Sequence, residues 1–379
     1  MAAAPPASSA RDGRGAKGAE SGCPAAAMSL AALVLGAGRL RGALLAGRLG
    51  KIPASPRRSL QYGWLAYVLG DKASAKFTKY SKVFTVDGNL RSGTGKLAQQ
   101  VAEALGLRYF PEATVHLLDQ LTGSGEKLDL KYSGSCSLET FYKEPKHPNG
   151  NSYRLQAWMY GCHFLQYVDA LSHLLSTGQG VVLERSPYSD FVFLEAMSKQ
   201  GYIHPRCVKH YYRMKHLSIC DILPPHLAFY IDVPVSEVKK RIDEVGEPYE
   251  KNVSAAYLQS IEDVYKKSFL PQISETSEVL QYTASEADNI ERVIEDVELL
   301  KFTKGPWLDQ DDVSLHYLRR SVDNKPTILS PLAIPDYIPE LTIGGLDADS
   351  IYNAYWELPG RKFSHGYNAA MGDKWIWLK

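Results

Sequence analysis

The run Val83-Phe84-Thr85-Val86-Asp87-Gly88-Asn89-Leu90-Arg91-Ser92-Gly93-Thr94-Gly95-Lys96 holds the residues best spaced to do chemistry. An apolar strand, a glycine-rich turn and a helix start make the frame of a phosphate-binding P-loop. In such a loop backbone N–H groups cradle the phosphates, a lysine neutralises the outer ones and a hydroxyl holds Mg²⁺. The pattern asks for Gly, four residues, Gly, Lys and then Ser or Thr. Gly88 and Gly93 fall in register, but Thr94 stands in the lysine's place and Gly95 in the hydroxyl's. A shifted register that used Lys96 would need a glycine at position 90 and a hydroxyl at 97, and both are leucine. Lys96 also lies about 200° further around the helix, at ~100° per residue, so it is expected to point away from the nest. Arg91 is the loop's own cation, with nothing in the sequence to aim it. The stretch reads as a strand-to-helix connection kept for folding, whose backbone still attracts an anion.

Around this loop the apolar spacing lays out the elements that must position it. Leu97, Ala98, Val101, Ala102 and Leu105 keep helical spacing up to Gly106, and residues 107–110 read as a short strand ending at Pro111-Glu112. Residues 118–151, rich in Gly, Ser, Lys and Pro, read as a long irregular insertion. Leu155, Trp158, Met159, Cys162, Leu165, Leu171 and Leu174 predict a helix over 152–175 that stops at Gly178. Val181-Val182-Leu183 predicts a third strand, delivering Glu184-Arg185-Ser186, and Ser189 is expected to cap the next helix, which ends at Gly201. Residues 226–233 and 279–283 predict a fourth and a fifth strand, with helices at 236–242 and 254–270 between them. Strands that are apolar throughout and alternate with helices imply an α/β fold: a five-stranded parallel sheet with helices on both faces.

Composition sets the limits. A chain of 379 residues, 45% apolar, buries one large core or two modest ones. A net charge of +1 argues against generic attraction to nucleic acid. The cysteines (Cys23, Cys136, Cys162, Cys207, Cys220) form no CxxC pair and accompany no histidines at ligand spacing, so neither a metal site nor a disulfide framework is expected. Between residues 28 and 70, Arg39, Arg41, Arg48, Lys51, Arg57 and Arg58 occur with no acidic residue. That is the composition of a mitochondrial transit peptide. Residues 1–60 are therefore read as targeting and unstructured sequence, with Met28 an alternative start, and 61–79 as a connecting segment. The apolar run at 30–38 is too short to span a bilayer, so no transmembrane segment is expected. Residues 80–300 form the expected P-loop domain. Residues 301–379 are dense in proline and aromatics, among them Trp307, Tyr317, Tyr355, Trp375 and Trp377. With few stretches of helical period, they are expected to form an irregular extension that wraps over a partner or its own domain.

The order Asp-Gly-Asn-Leu-x-x-Gly (87–93), Phe-Pro-Glu (110–112), Leu-Gln (155–156), Glu-Arg-Ser-x-Tyr-Ser-Asp (184–190) and Tyr-Ile-Asp-Val-Pro (230–234) resembles the deoxyribonucleoside kinases over roughly residues 80–290. The resemblance implies roles: Glu112 as base for the nucleoside 5′-hydroxyl, Gln156 as base-recognition amide, Glu184 near Mg²⁺ and Arg185 on phosphate. It places Gly88, Asn89, Gly93, Thr94, Gly95 and Arg241 around the phosphates of a nucleotide. The departures fall on the transfer machinery. Besides Thr94 and Gly95, His163 stands where the family carries an arginine, and Val245 and Glu247 where it carries lid arginines. A positioned arginine on the transferring phosphoryl group is worth about 10³–10⁵ in rate, so these losses together are expected to remove useful turnover. Glu112, Glu184 and Arg185 then become remnants, Arg185 pairing with Asp190, and a purine nucleotide or the ADP end of an FAD-like dinucleotide remains conceivable as a structural ligand. With the tail motifs at 304–308, 358–362 and 372–379, the chain is similar to the kinase-like accessory subunits of mitochondrial NADH:ubiquinone oxidoreductase, respiratory complex I. That resemblance implies a peripheral, non-catalytic subunit on the matrix side of the membrane arm, partnered by other complex I subunits. The alternative is an active mitochondrial deoxyribonucleoside kinase.

Overall fold

A computed structural model of the chain describes residues 62–115, 117, 137–148 and 150–332. The transit-peptide segment, Cys23, Cys136, most of the 118–151 insertion and the tail motifs at 358–362 and 372–379 lie outside the described residues. Five strands form the sheet: β1 (Val83–Gly88), β2 (Arg108–Phe110), β3 (Val181–Glu184), β4 (Leu227–Asp232) and β5 (Glu278–Thr283). Their order across it is β2-β3-β1-β4-β5, and every pairing is parallel, as expected of strands apolar on both faces. Val86 stands beside Phe229 and Phe229 beside Leu280, so the central strands are buried from edge to edge.

Before the sheet lies α1 (Trp64–Val68). The helices that cover the sheet are α2 (Thr94–Leu105), α3 (Leu138–Lys143), α4 (Asn151–Thr177), α5 (Phe191–Lys199), α6 (Pro205–Ile219), α7 (Val235–Val245), α8 (Ala255–Val264), α9 (Leu270–Ser274), α10 (Ala284–Ala287) and α11 (Ile290–Leu299). A π-helical turn at Tyr265–Phe269 joins α8 to α9. The 27-residue α4 is the central helix, buried on all sides through Tyr160, Phe164, Tyr167, Val168 and Leu171. A helix apolar all round belongs in an interior. It ends at Gly178 in the left-handed conformation, as the sequence suggests.

Several expectations need correction. Ser189 does not cap α5: the N-cap residue is Asp190, and the Ser189 hydroxyl bonds back to the Ser186 backbone. The end of the insertion is not irregular throughout, since Ser137 caps α3 by accepting the Thr140 N–H and buries Phe141. Helices α6 and α11 have no counterpart in the sequence reading. The buried face of α6, Cys207, His210, Tyr211, Met214, Lys215 and Ser218, does keep helical spacing, but half of it is polar or charged and hides the stripe.

The extension also departs from expectation. Residues 312–323 form α12 (Asp312–Asp323), followed by α13 (Lys325–Ile328). Asp311 caps α12, and its buried face is Leu315, His316, Arg319 and Val322, again half polar. The helix lies against α4, where Ser172 donates to Asp323 at 2.6 Å and Lys325 pairs with Asp169. Phe302 stacks on Phe84 at 6.1 Å, and Trp307 stacks on His226 at 4.4 Å while donating to the Pro224 carbonyl. The described part of the extension therefore packs on its own domain.

Candidate functional site

The nest sits at the carboxyl end of β1, where a strand between two parallel neighbours opens a crevice. Gly93, at φ +98°, turns the chain into α2 in a conformation that favours glycine. Gly88 is fixed by crowding, because a Cβ there would fall on the Ser92 hydroxyl and 3.2 Å from the Ile231 carbonyl. Asn89 is spent inside the loop: its amide donates to the Leu258 carbonyl at 3.0 Å and its oxygen accepts the Leu90 N–H at 2.8 Å. Lys96 faces away, paired with Asp288 at 2.6 Å, as its place on the helix predicts.

Thr94 and Gly95 are matched to Glu184 on β3. The Thr94 hydroxyl donates to Glu184 Oε1 at 2.6 Å, and a Cβ on Gly95 would come within 2.8 Å of Glu184 Oε2. The carboxylate thus fills the space beside the first turn of α2, where the helix dipole favours an anion. Tyr109, whose hydroxyl reaches Glu184 Oε2 at 3.3 Å, has its pKa pushed up to about 12, mainly by burial and then by that charge. Beneath the nest, Asp87 is wholly buried, and burial raises its pKa to about 6 against the opposing pull of Ser189 and Arg185.

A cleft of about 760 Å³ runs from the nest to the N-terminal half of α4. Its far end is lined by Leu155, Gln156, Met159, His163, Asp190 and Phe193. Asp190 is a hub there, accepting from Gln156 at 2.7 Å, Tyr211 at 2.6 Å and His163 at 2.8 Å. It is not the partner of Arg185. Arg185, at φ +61°, pairs with Glu112 and lies 5.0 Å over the Phe193 ring. The ion pair neutralises both charges at the strand end and holds the Glu112 carboxylate against the Arg185 guanidinium.

On the other side, Arg241 of α7 donates to the Ser92 carbonyl at 3.2 Å and to Glu237 at 2.5 Å. Val245 is 76% exposed and offers no charge. Arg91 is aimed after all, at Glu250, 2.6 Å away. Of the residues singled out from the sequence, Gly93, Thr94, Gly95, Glu112, Gln156, Glu184, Arg185 and Arg241 line one cleft, and Gly88 and Asn89 lie under it. Sequence reasoning missed Asp190 as the hub, although it closes the Glu-Arg-Ser-x-Tyr-Ser-Asp motif, and missed Glu250, for which no local signal exists. Gly95 supplies no hydroxyl, and the Thr94 hydroxyl beside it is engaged by Glu184.

Comparison with known proteins agrees with this geometry. The chain is 56% identical over 336 residues to the Bos taurus protein named NADH dehydrogenase (ubiquinone) 1 alpha subcomplex subunit 10, mitochondrial, covering 89% of this chain and 98% of that one. The Mus musculus protein of the same name is 55% identical, covering 93% of this chain and all of its own. A family profile described as deoxynucleoside kinase matches residues 84–301. The chain belongs to the deoxynucleoside kinase family, alongside these subunit 10 relatives. A more distant member, the deoxyguanosine kinase of Dictyostelium discoideum, is 27% identical over 54% of this chain and 65% of its own length. In this chain Glu184 meets Thr94 beside Gly95, and Glu250 meets Arg91, within the same cleft.

Proposed function

We propose that this kinase-family chain is an accessory subunit of mitochondrial respiratory complex I, non-catalytic itself, seated on the matrix face of the inner membrane against the membrane arm and supporting assembly or stability. The observation that carries the reading is the 56% identity to a complex I subunit over 98% of that subunit's length. The cleft supports the non-catalytic part. Its cations are engaged by carboxylates, Arg91 by Glu250, Arg185 by Glu112 and Arg241 by Glu237, and phosphoryl transfer depends on free, positioned cations. An exposed apolar face supports the assembly part. Trp64, Leu65 and Val68 of α1, Leu69 just after it, and Val313 and Tyr317 of α12 are turned outward, joined through His316, which bonds to Tyr62 and packs on Tyr67. Such patches mark surfaces that a partner covers. No helix among the described residues is long and apolar enough to cross a membrane.

The second reading, an active mitochondrial deoxynucleoside kinase, is favoured by the match of the deoxynucleoside kinase profile to residues 84–301. Two measurements separate them. Tagged full-length chain is expected to co-migrate with complex I on native gels, and Trp64→Ser with Leu65→Ser is expected to reduce that fraction. The purified chain, given ATP, Mg²⁺ and each deoxynucleoside, is expected to transfer no phosphate above background. Migration apart from the complex together with kinase-like turnover would establish the second reading instead.

A further inference from the structure

The turn at residues 246–253 contributes Tyr249 and Glu250 to one wall of the cleft, and Arg91 ties it to the nest. From the nest, Arg91 directs Nε and Nη2 to a single oxygen of Glu250, at 3.0 and 2.6 Å. The same oxygen accepts the Glu247 backbone N–H at 3.0 Å. From α7, Arg241 reaches back to the Ser92 carbonyl, and Lys239 donates to the Lys251 carbonyl at 2.7 Å. Gly246 makes the fit feasible, since a Cβ there would lie 3.0 Å from Glu250 Oε2 and nearer still to the Ile242 carbonyl. Tyr249 stacks on Tyr142 of α3 at 5.9 Å, which extends the closure to the opposite wall. Arg91 itself has φ +51°, a left-handed conformation that side chains other than glycine, Asn and Asp seldom adopt.

Arg91 and Glu250 line the same cleft as Gly93 and Thr94 of the nest, and a guanidinium there suits a phosphate oxygen as well as a carboxylate. Here its partner is the chain's own carboxylate. We propose that Arg91 and Glu250 form an intramolecular latch that holds the 246–253 turn down on the nest in place of a ligand phosphate, so that a phosphate-bearing ligand engages the nest only by displacing Glu250. The inference rests on reading the site as a kinase-derived cleft. That reading stands or falls on turnover and complex I assembly, neither of which is measured by the test of the latch.

The test uses full-length protein, ATP as the probe, and two variants, Glu250→Gln and Arg91→Gln. Both side chains are partly exposed, so both variants are expected to fold. Glu250→Gln removes the competing charge and leaves Arg91 free, so ATP is expected to bind about tenfold tighter than to wild type in calorimetric titration, about 1.4 kcal/mol. Arg91→Gln breaks the same latch but removes the cation, so no gain in ATP affinity is expected. In the ligand-free state both variants are expected to exchange the backbone amides of 246–253 faster than wild type. The proposal is overturned by a gain below threefold for Glu250→Gln, including failure to bind ATP at all. It is equally overturned by an Arg91→Gln gain matching that of Glu250→Gln, or by wild-type exchange in the 246–253 amides of either variant.

Discussion

Replacing Gly95 with alanine separates two explanations for the glycine at that position: loss of a Mg²⁺ hydroxyl, or room for a buried carboxylate. At a helical position free of neighbours, Gly→Ala stabilises by about 0.4–1 kcal/mol, chiefly by restricting the unfolded chain. At Gly95 the added methyl would lie 2.8 Å from Glu184 Oε2 and 3.3 Å from Oε1. Glu184 is 9% exposed and held by the Thr94 hydroxyl at 2.6 Å, so moving it disrupts a buried hydrogen bond to a charged group. Such bonds contribute roughly 1.5–3 kcal/mol. The net expectation is a loss of about 1–2 kcal/mol, or roughly 2–8 °C in Tm for a domain of this size. The decisive measurement is a double-mutant cycle by urea denaturation. In a Glu184→Ala background the clash is gone, so Gly95→Ala is expected to become stabilising. A destabilisation of equal size in both backgrounds would refute the account of Gly95.

Two further outcomes follow from buried groups. Asp87 holds its proton up to about pH 6 when folded but releases it near 3.8 when unfolded, so between those values the native chain binds more protons and its stability falls as pH rises. Asp87→Asn lacks that penalty, and its stability relative to wild type is expected to rise by about 2 kcal/mol from pH 4 to pH 6.5 in pH-resolved denaturation. Trp307→Phe removes the 2.6 Å hydrogen bond to the Pro224 carbonyl and part of the stack on His226; an expected loss of about 1–2 kcal/mol would appear as a lower denaturation midpoint with unchanged slope.

The sheet and the nest were legible because their signals are local. Val83 to Val86 and Val181 to Leu183 are short apolar runs bounded by polar or glycine residues, and Gly106 and Gly178 mark helix ends by their own conformational freedom. Helices α6 and α12 were hidden because His210, Lys215, His316 and Arg319 occupy buried positions that periodicity reads as surface. Those side chains are accommodated by partners far away in sequence, such as Asp71 and the Tyr62 ring for Arg319. The same holds at the site. Thr94 and Gly95 read as losses when judged against a motif, yet Glu184, some ninety residues on, supplies their packing partner. Arg91 lacked an aim until the fold brought Glu250 to it across a separation of 159 residues.

Helix α4 carries one more consequence. Its first half presents Gln156 and His163 to the cleft, and its second half presents Asp169 and Ser172 to the helices of the extension. At 1.5 Å per residue it is a beam of about 40 Å. The cleft and the described part of the extension are therefore mounted on a single member. A substitution at the strand ends leaves that beam in place, whereas one that shifts the chamber wall built from it also shifts what the far end bears. The shape of the cleft and the seat of the extension are therefore mechanically coupled through α4.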